Sequence, residues 1–361
     1  MRLSFHRRFA PLLTCAALAL AGCSDDRLQD PPVEAKVMTR NIYLGGNIFL
    51  LAQAQSPQQV PVVAAQLFAT VQATDFAARA ERLAEEIQAT DPALIGLQEV
   101  SRYRTQHPSD YVSSNRAVNA QDTAVDFLAI LLEELKERGL DYRIAAMVQN
   151  ADAELPAALS GNANDLTDIR LTDYDVILAR GDVATTEEVE QNYTFNAQVS
   201  VGGGAVTFTR GFTKVAATLD GAKFTFVNSH LEGLMPANPE QANELVGILQ
   251  GYAEPLILVG DLNTGPGSST PAYGIFTDTA GLEDAWPEVG TGPGFTCCFS
   301  EKVNDTQTTG LDERIDLVLY RGQGIRPTAA EVVGDELANR TASGLWPSDH
   351  AGAVVTFSIT R

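Results

Sequence analysis

Leu256-Ile257-Leu258-Val259-Gly260-Asp261-Leu262-Asn263 decides the fold of this chain. Four consecutive aliphatic residues read as a strand buried on both faces. The run stops at Gly260 and opens onto Asp261 and Asn263. Three other segments repeat the pattern. Ala93-Leu94-Ile95-Gly96-Leu97 leads into Gln98-Glu99, and Phe224-Thr225-Phe226-Val227 leads into Asn228-Ser229-His230. Ser348-Asp349-His350 stands directly before a last apolar run that starts at Ala351. Each strand end carries a carboxylate, an imidazole or an amide. Such groups bind hard divalent cations and phosphate, and they move protons. Positions this far apart in sequence converge only if their strands share a sheet. The pattern therefore predicts one metal-dependent hydrolytic site at one edge of a β-sandwich.

Working outward, strands are expected at 35–43, 93–98, 142–149, 174–180, 205–209, 213–219, 223–229, 256–260, 315–320 and 351–359. Residues 75–90 form an amphipathic helix with Phe76, Ala80, Leu83 and Ile87 on one face and Thr74 as its cap. A second helix is expected over 122–138, with Phe127, Leu128, Leu131, Leu132 and Leu135 facing inward, and a third over 241–251. Residues 45–74, rich in Gln, Ala and Val, read as a partly helical insertion. Apolar strands with a few flanking helices give an α/β four-layer sandwich: two mainly antiparallel β-sheets face to face, with helices outside.

The N-terminus reads as an address. Arg2, Arg7 and Arg8 precede an apolar run over 9–21 that is too short to span a bilayer. It ends in Leu20-Ala21-Gly22-Cys23. Residues 1–22 are read as a signal peptide that resembles a bacterial lipoprotein lipobox. By that resemblance Cys23 becomes the lipidated first residue and Ser24 directs the chain to the outer membrane. Ordinary secretory cleavage, with Cys23 incidental, is the other reading. Residues 23–34, polar and Pro-containing, form a tether, and 35–361 form one domain without linker or repeat.

The net charge of -21 sets this chain apart from proteins with a broad basic nucleic-acid-binding face. It does not exclude catalysis on a phosphodiester, because metal ions and a local Arg cluster offset long-range repulsion. Of four Cys, Cys15 leaves with the signal and Cys23 is the lipidation candidate. Cys297 and Cys298 remain, adjacent, either as a vicinal disulfide or as buried thiols. His107 lies in a polar stretch, whereas His230 and His350 flank strands beside acidic motifs. Arg180 and Arg210 follow strand-like runs and are candidates for phosphate contact. Trp286, Trp346, Phe295 and Phe299 are read as packing or as a rim near the site.

The ordered set Asn41, Gln98-Glu99, His230, Gly260-Asp261-Leu262-Asn263, Arg314-Ile315-Asp316 and Ser348-Asp349-His350 resembles the endonuclease/exonuclease/phosphatase superfamily. That superfamily includes pancreatic-type deoxyribonuclease, abasic-site endonucleases, inositol-polyphosphate 5-phosphatases and bacterial sphingomyelinases. The resemblance runs from the first strand to the last. The 45–74 segment and the Cys-Cys loop fall outside the general pattern. Glu99, charged at the end of an apolar strand, needs a partner, and Mg²⁺ or Mn²⁺ suits it; a structural ion pair or a cap is the alternative. The resemblance implies that Asp349 is a second carboxylate at or beside the metal. It implies that Asp316 orients His350, and that Asp261 orients or deprotonates the attacking water. Asn263 and His230 would hold the phosphoryl oxygens, and Asn41 would support Asp261 and the metal.

The expected activity is hydrolysis of a phosphoester, a phosphodiester of nucleic acid first. A phospholipid or sphingolipid head group is the alternative, and a non-catalytic binding module of the same fold is the second. The membrane is reached through the lipid anchor at the cell envelope, periplasmic or surface-facing. No protein partner is implied.

Overall fold

The computed structural model describes residues 30–111 and 116–361. Residues 1–29, which include the signal segment and Cys23, lie outside the described residues. The folded unit begins at Pro32. Its first strand, β1 (Val33–Asn41), takes in the last two residues assigned to the tether.

The strands after β1 are β2 (Leu94–Gln106), β3 (Asp122–Asp126), β4 (Tyr142–Ala157), β5 (Thr167–Arg180), β6 (Ala184–Asn192), β7 (Ala197–Val201) and β8 (Gly204–Phe208). They continue with β9 (Gly211–Leu219), β10 (Ala222–His230), β11 (Leu256–Asp261), β12 (Glu283–Asp284), β13 (Asp316–Arg321), β14 (Ile325–Val333) and β15 (Gly352–Ile359). The main helices are α1 (Val60–Ala73), α2 (Phe76–Thr90), α3 (Phe127–Glu137) and α4 (Ala237–Leu249). Among the described residues one sheet runs β14-β15-β1-β2-β5-β4, with β3 on β2. The other runs β12-β13-β11-β10-β9-β6, and β7 and β8 form a separate hairpin. Only β1–β2 and β10–β11 pair in parallel; the other pairs are antiparallel.

Three apolar layers hold the sandwich together. Val37, Leu94, Ile177 and Phe357 of the first sheet meet Val215, Phe226, Ile257 and Val318 of the second. Leu67, Phe68, Leu83, Ile87, Phe127 and Leu131 cover the outer face of the first sheet. Ala242, Leu245 and Leu249 of α4 cover the second. The layers are thus helices, sheet, sheet, helix, as the hydrophobic pattern predicts.

Several elements differ from expectation in their bounds or caps. Asp122–Asp126 is strand β3 rather than the first turn of α3, because Asp126 in extended conformation caps that helix through the Ala129 N–H. Asp75, not Thr74, caps α2; Thr74 closes α1 and its hydroxyl donates to Gly45 O. The 45–74 segment is one turn over Ile48–Gln53 followed by α1. The strands β3, β6, β7, β12 and β14 are additional.

The two sheets approach closely where the polar strand ends lie. A Cβ on Gly96 would meet Val259 and the Asn228 amide oxygen at 2.6 Å. Gly260 at φ 153° has the Ser229 carbonyl where a side chain would stand, so only glycine lets β11 lie against β10 there. Beside this contact Gln98 Nε2 donates to Asn228 Oδ1 at 2.6 Å, and Asn228 Nδ2 donates to Leu97 O and Val176 O. This buried bridge fixes one sheet against the other directly beneath Glu99 and His230.

Candidate active site

Strand direction brings the polar groups to one edge. The C-terminal ends of β1, β10 and β11 supply Asn41, His230 and Asp261, and β2 supplies Glu99 from within its length. Asp316 opens the antiparallel β13 directly opposite Asp261, and His350 precedes β15. Local backbone then aims each side chain. β2 bulges between Leu97 and Val100 where it pairs with β5, and Glu99 sits in that bulge at φ 58°. The extra residue takes Glu99 out of the strand alternation, and its Oε2 accepts the Leu44 N–H at 2.8 Å. Asn263, at φ 47°, turns the chain after β11 and donates its own N–H to Asp261 Oδ1 at 3.1 Å; Asn tolerates this left-handed region better than most residues.

Asp261 is the centre. Its Oδ2 accepts from Asn41 Nδ2 at 3.0 Å and lies 3.4 Å from His230 Nε2 and 3.8 Å from His350 Nε2. Burial lifts its carboxyl to about 7; His350 opposes the rise, while Asp316 and Glu99 add to it. His350 Nδ1 donates to Asp316 Oδ2 at 2.8 Å, and both side chains are buried. Burial works against a charged imidazole, but Asp316, Asp261 and Asp349 outweigh it and hold His350 well above the ordinary range. These carboxylates favour the imidazolium form of the ring.

His230 is the opposite case. Burial, with Arg210 and His350 nearby, depresses it well below its usual value, so it is neutral. Arg210 Nη1 stands 3.0 Å from Nδ1. A guanidinium only donates, which assigns Nδ1 as acceptor and puts the proton on Nε2, facing Asp261. Asn263 Nδ2, 3.2 Å from His230 Nε2, donates to Leu231 O at 2.8 Å.

Glu99 and Asp349 are half-buried. Asp349 accepts from Ser348 Oγ at 3.3 Å, and burial lifts it to about 7; His350 opposes the rise and Glu99 adds to it. Among the described residues no Lys, Arg or His lies within ion-pair distance of either carboxylate. Two neighbouring acids with oxygen donors and no ion-pair partner fit a hard divalent cation. Asp261, Asp316 and His350 also present ligand atoms within 4.8 Å of one another, but Asp316 and His350 use theirs on each other.

Two arginines hold the loops without touching the acids. Arg40 forms a buried pair with Glu86 at 2.9 Å and donates to the His350 carbonyl. Arg79, wholly buried on the inner face of α2, donates to the carbonyls of Thr74, Ile42, Tyr43 and Pro347 at 2.8–3.2 Å. Burial pulls Arg79 down to about 10. Sequence reasoning missed both. An arginine three residues after Phe76, inside an apolar helix face, was the available signal for Arg79.

The two candidate phosphate contacts separate. Arg210 is buried at the site, on His230 and on Glu232 at 3.4 Å, so it supports the imidazole. Arg180 is a correction. β5 runs antiparallel to β2, with Ala179 opposite Leu94, so Arg180 lies at the far edge from Glu99. It pairs there with Asp91 at 2.9 Å and Asp182 at 2.8 Å. Cys297 and Cys298 are joined by a disulfide, and Cys298 Sγ stands 3.8 Å from His350 Nε2. Trp346 stacks on Phe299 in the interior, while Phe295 is exposed. His107 is on the surface.

The profile of the Endonuclease/Exonuclease/phosphatase family matches residues 65–350, a span that holds every site residue above except Asn41 and Arg40. No curated protein matches the chain in sequence. Among solved structures, an endonuclease/exonuclease/phosphatase family protein from Bacteroides thetaiotaomicron superposes with a TM-score of 0.55 at 16% identity, over 91% of this chain and 99% of that one. A mannosyl-6-phosphatase from the same organism gives 0.52 at 17%, over 90% and 100%. D. rerio TDP2, solved with a single-strand DNA product, gives 0.50 at 17%, over 90% and 99%. At these identities the likeness is one of fold.

Proposed function

Because the chain belongs to the endonuclease/exonuclease/phosphatase family, we propose that it hydrolyses a phosphoester, as a phosphodiesterase, by direct attack of water on phosphorus. One observation carries the reading: a buried carboxylate, Asp261, lies between a neutral imidazole and one favoured in its cationic form, beside two acids without an ion-pair partner. A binding module has no use for that arrangement.

Asp261 is the base. Its carboxyl, lifted to about 7, is matched to taking a proton from water near neutral pH. His350, favoured in its charged form by Asp316, Asp261 and Asp349, is the less suited base. His350 instead presents Nε2–H to a phosphoryl oxygen while Asp316 holds Nδ1–H. Neutral His230, its tautomer set by Arg210, and the Asn263 amide flank the opposite side. Asn41 keeps Asp261 Oδ2 in place. The water oxygen bonds to phosphorus, its proton goes to Asp261, and the P–O bond to the leaving alcohol breaks with a proton returned to that alcohol. Glu99 and Asp349 would hold Mg²⁺ or Mn²⁺, which when bound neutralises charge on the phosphoryl group.

Nucleic acid is one candidate substrate, in line with the DNA product seen on D. rerio TDP2. A lipid head group is the other, favoured by an apolar cavity that adjoins the centre. The deciding assay is a panel of plasmid DNA, RNA, sphingomyelin and bis-nitrophenyl phosphate, with and without Mg²⁺. Turnover should require the metal. Glu99→Gln should abolish Mg²⁺-dependent hydrolysis with an unchanged circular dichroism spectrum; near-normal turnover by the folded variant would remove Glu99 from the site.

Envelope location through a lipid on Cys23 is part of the same proposal. It is supported by the Leu20-Ala21-Gly22-Cys23 segment. Two acyl chains give stable attachment, at about 0.8 kcal/mol per buried CH₂. The wild-type chain should enter the detergent phase, and Cys23→Ser should lack the lipid by mass spectrometry. An unmodified mature chain starting elsewhere would refute the anchor and leave the hydrolase reading untouched.

A further inference from the structure

A cavity of about 320 Å³ opens between the first sheet, the 45–74 insertion and the β7–β8 hairpin. Its walls are mainly aliphatic and aromatic, with Leu44, Leu67, Phe68, Leu171 and Phe208 among them, and one end is Arg210. Both ends of the contact chain to the active centre are explicit. Leu44 gives its N–H to Glu99, and Arg210 gives a hydrogen bond to His230. The cavity therefore begins one residue away from the groups that handle the phosphoester.

The walls are fastened together. Gly202 N–H in the hairpin turn donates to Ala54 O of the insertion at 2.7 Å, and the Phe49 and Phe208 rings lie 6.1 Å apart. Ala158 N–H ties β4's end to Pro61 O at 2.9 Å. The carboxylates along the wall already accept hydrogen bonds from the protein. Asp152 is held by Arg170 and Thr172, Glu154 by the N–H groups of Asn119 and Ala120, and Asp173 by Ser101.

We propose that this cavity takes an aliphatic substituent of the phosphoester, so that the enzyme's substrate is an amphiphile with its phosphate at Asp261 and its chain between the insertion and the hairpin. The inference rests on the phosphoester reading above. A nucleobase fits less well, because most of the wall is apolar and would leave part of its polar edge unpaired, and a chain of net charge -21 disfavours an extended polyanion. Small-molecule pockets of this kind are apolar and of about 300–1,000 Å³.

The test is a homologous series of nitrophenyl alkyl phosphodiesters, from methyl to octyl, with Mg²⁺. Each buried methylene should raise kcat/KM about threefold to fourfold until the cavity is filled, acting through KM. Ala64→Phe and Ala153→Phe narrow it from α1 and from β4, the second at a half-exposed strand position. Both variants, checked for native melting, should hydrolyse the methyl ester at wild-type rates and lose at least tenfold of the octyl advantage. A flat chain-length profile with the methyl ester turned over would overturn the proposal, as would an undiminished octyl preference in both variants. Faster turnover of plasmid DNA than of a dispersed short-chain phospholipid would also overturn it. If no ester is hydrolysed, the phosphoester reading fails by itself. Calorimetry then decides the cavity: octyl phosphate binding at least tenfold tighter than inorganic phosphate supports it, and equal binding refutes it.

Discussion

Asp316→Asn isolates the charge behind His350. Asp316 has a fully buried side chain, and its only side-chain hydrogen bond is the 2.8 Å contact with Nδ1; Oδ1 is buried without a partner. The backbone N–H groups of Ile315 and Asp316 both donate to Thr296 Oγ1, so the asparagine should stay in place. Its amide can still accept from Nδ1–H, but the NH₂ then fills the orphan position and costs about 1–3 kcal/mol as an unsatisfied donor. That cost is offset in part because a buried charge is removed, so the melting temperature should move little. The catalytic loss should be larger. A positioned acid or base contributes about 10²- to 10⁴-fold, or about 2.7–5.5 kcal/mol of barrier, and kcat should fall within that range. Without Asp316 the imidazolium is less favoured, so the alkaline limb of the kcat/KM profile should shift to lower pH. The stability that the pair gives is complete below the unfolded histidine pKa and fades as pH rises through the raised folded value; the variant should lack that dependence. Adding Asp316→Asn to His350→Ala should cost little more than His350→Ala alone. A single variant within threefold of wild type, or fully additive losses in the double variant, would refute the dyad.

Asp173 offers a separate measurement. Burial lifts it to about 6 from 3.8, so the folded state binds a proton that the unfolded chain has lost between those values. Stability from this group is therefore greatest below pH 4 and declines by about 3 kcal/mol as pH rises to 6. Asp173→Asn should be more stable than wild type in urea at pH 7.5 and equal to it at pH 4; a pH-independent difference would contradict the assignment. Arg79→Met leaves four carbonyls without their donor and should cost about 3–5 kcal/mol. The milder Arg79→Lys should raise the Mg²⁺ concentration for half-maximal activity, because Ile42, Tyr43 and Pro347 lead into both metal-side loops; an unchanged Mg²⁺ dependence would confine Arg79 to stability.

Much of this centre is legible in sequence because a carboxylate or imidazole after an apolar strand has no simple structural excuse. Glu99, His230, Asp261 and His350 stand out for that reason. Arg40 and Arg79 do not, because their partners include main-chain carbonyls, which leave no trace in side-chain identity. Arg180 and Arg210 look equivalent along the chain, and only strand direction separates them: β9 pairs Gly211 with His230, whereas β5 carries Arg180 away from Glu99. The missing strands share another cause. β6 is polar and largely exposed, and β14 carries Pro327 at a bulge on a sheet edge. Neither shows the alternation that a half-buried strand imposes.

The division between arginines that neutralise and arginines that only brace explains the electrostatics of the centre. Arg40 has its own acid in Glu86, and Arg79 bonds carbonyls alone and reaches Asp349 only through its charge, without an ion-pair contact. Arg210 is matched by Glu232. The four carboxylates Glu99, Asp261, Asp316 and Asp349 gather around His350, and burial, with Glu99 adding to it, lifts both Asp261 and Asp349 to about 7. A divalent cation held by Glu99 and Asp349 would offset this gathered negative charge, where an added arginine would occupy the space a phosphate needs. The bracing arginines thus keep the loops rigid while leaving the negative charge for a bound cation to offset. The strand ends meet that requirement, whereas the cavity proposed to select the substrate is walled in part by the 45–74 segment.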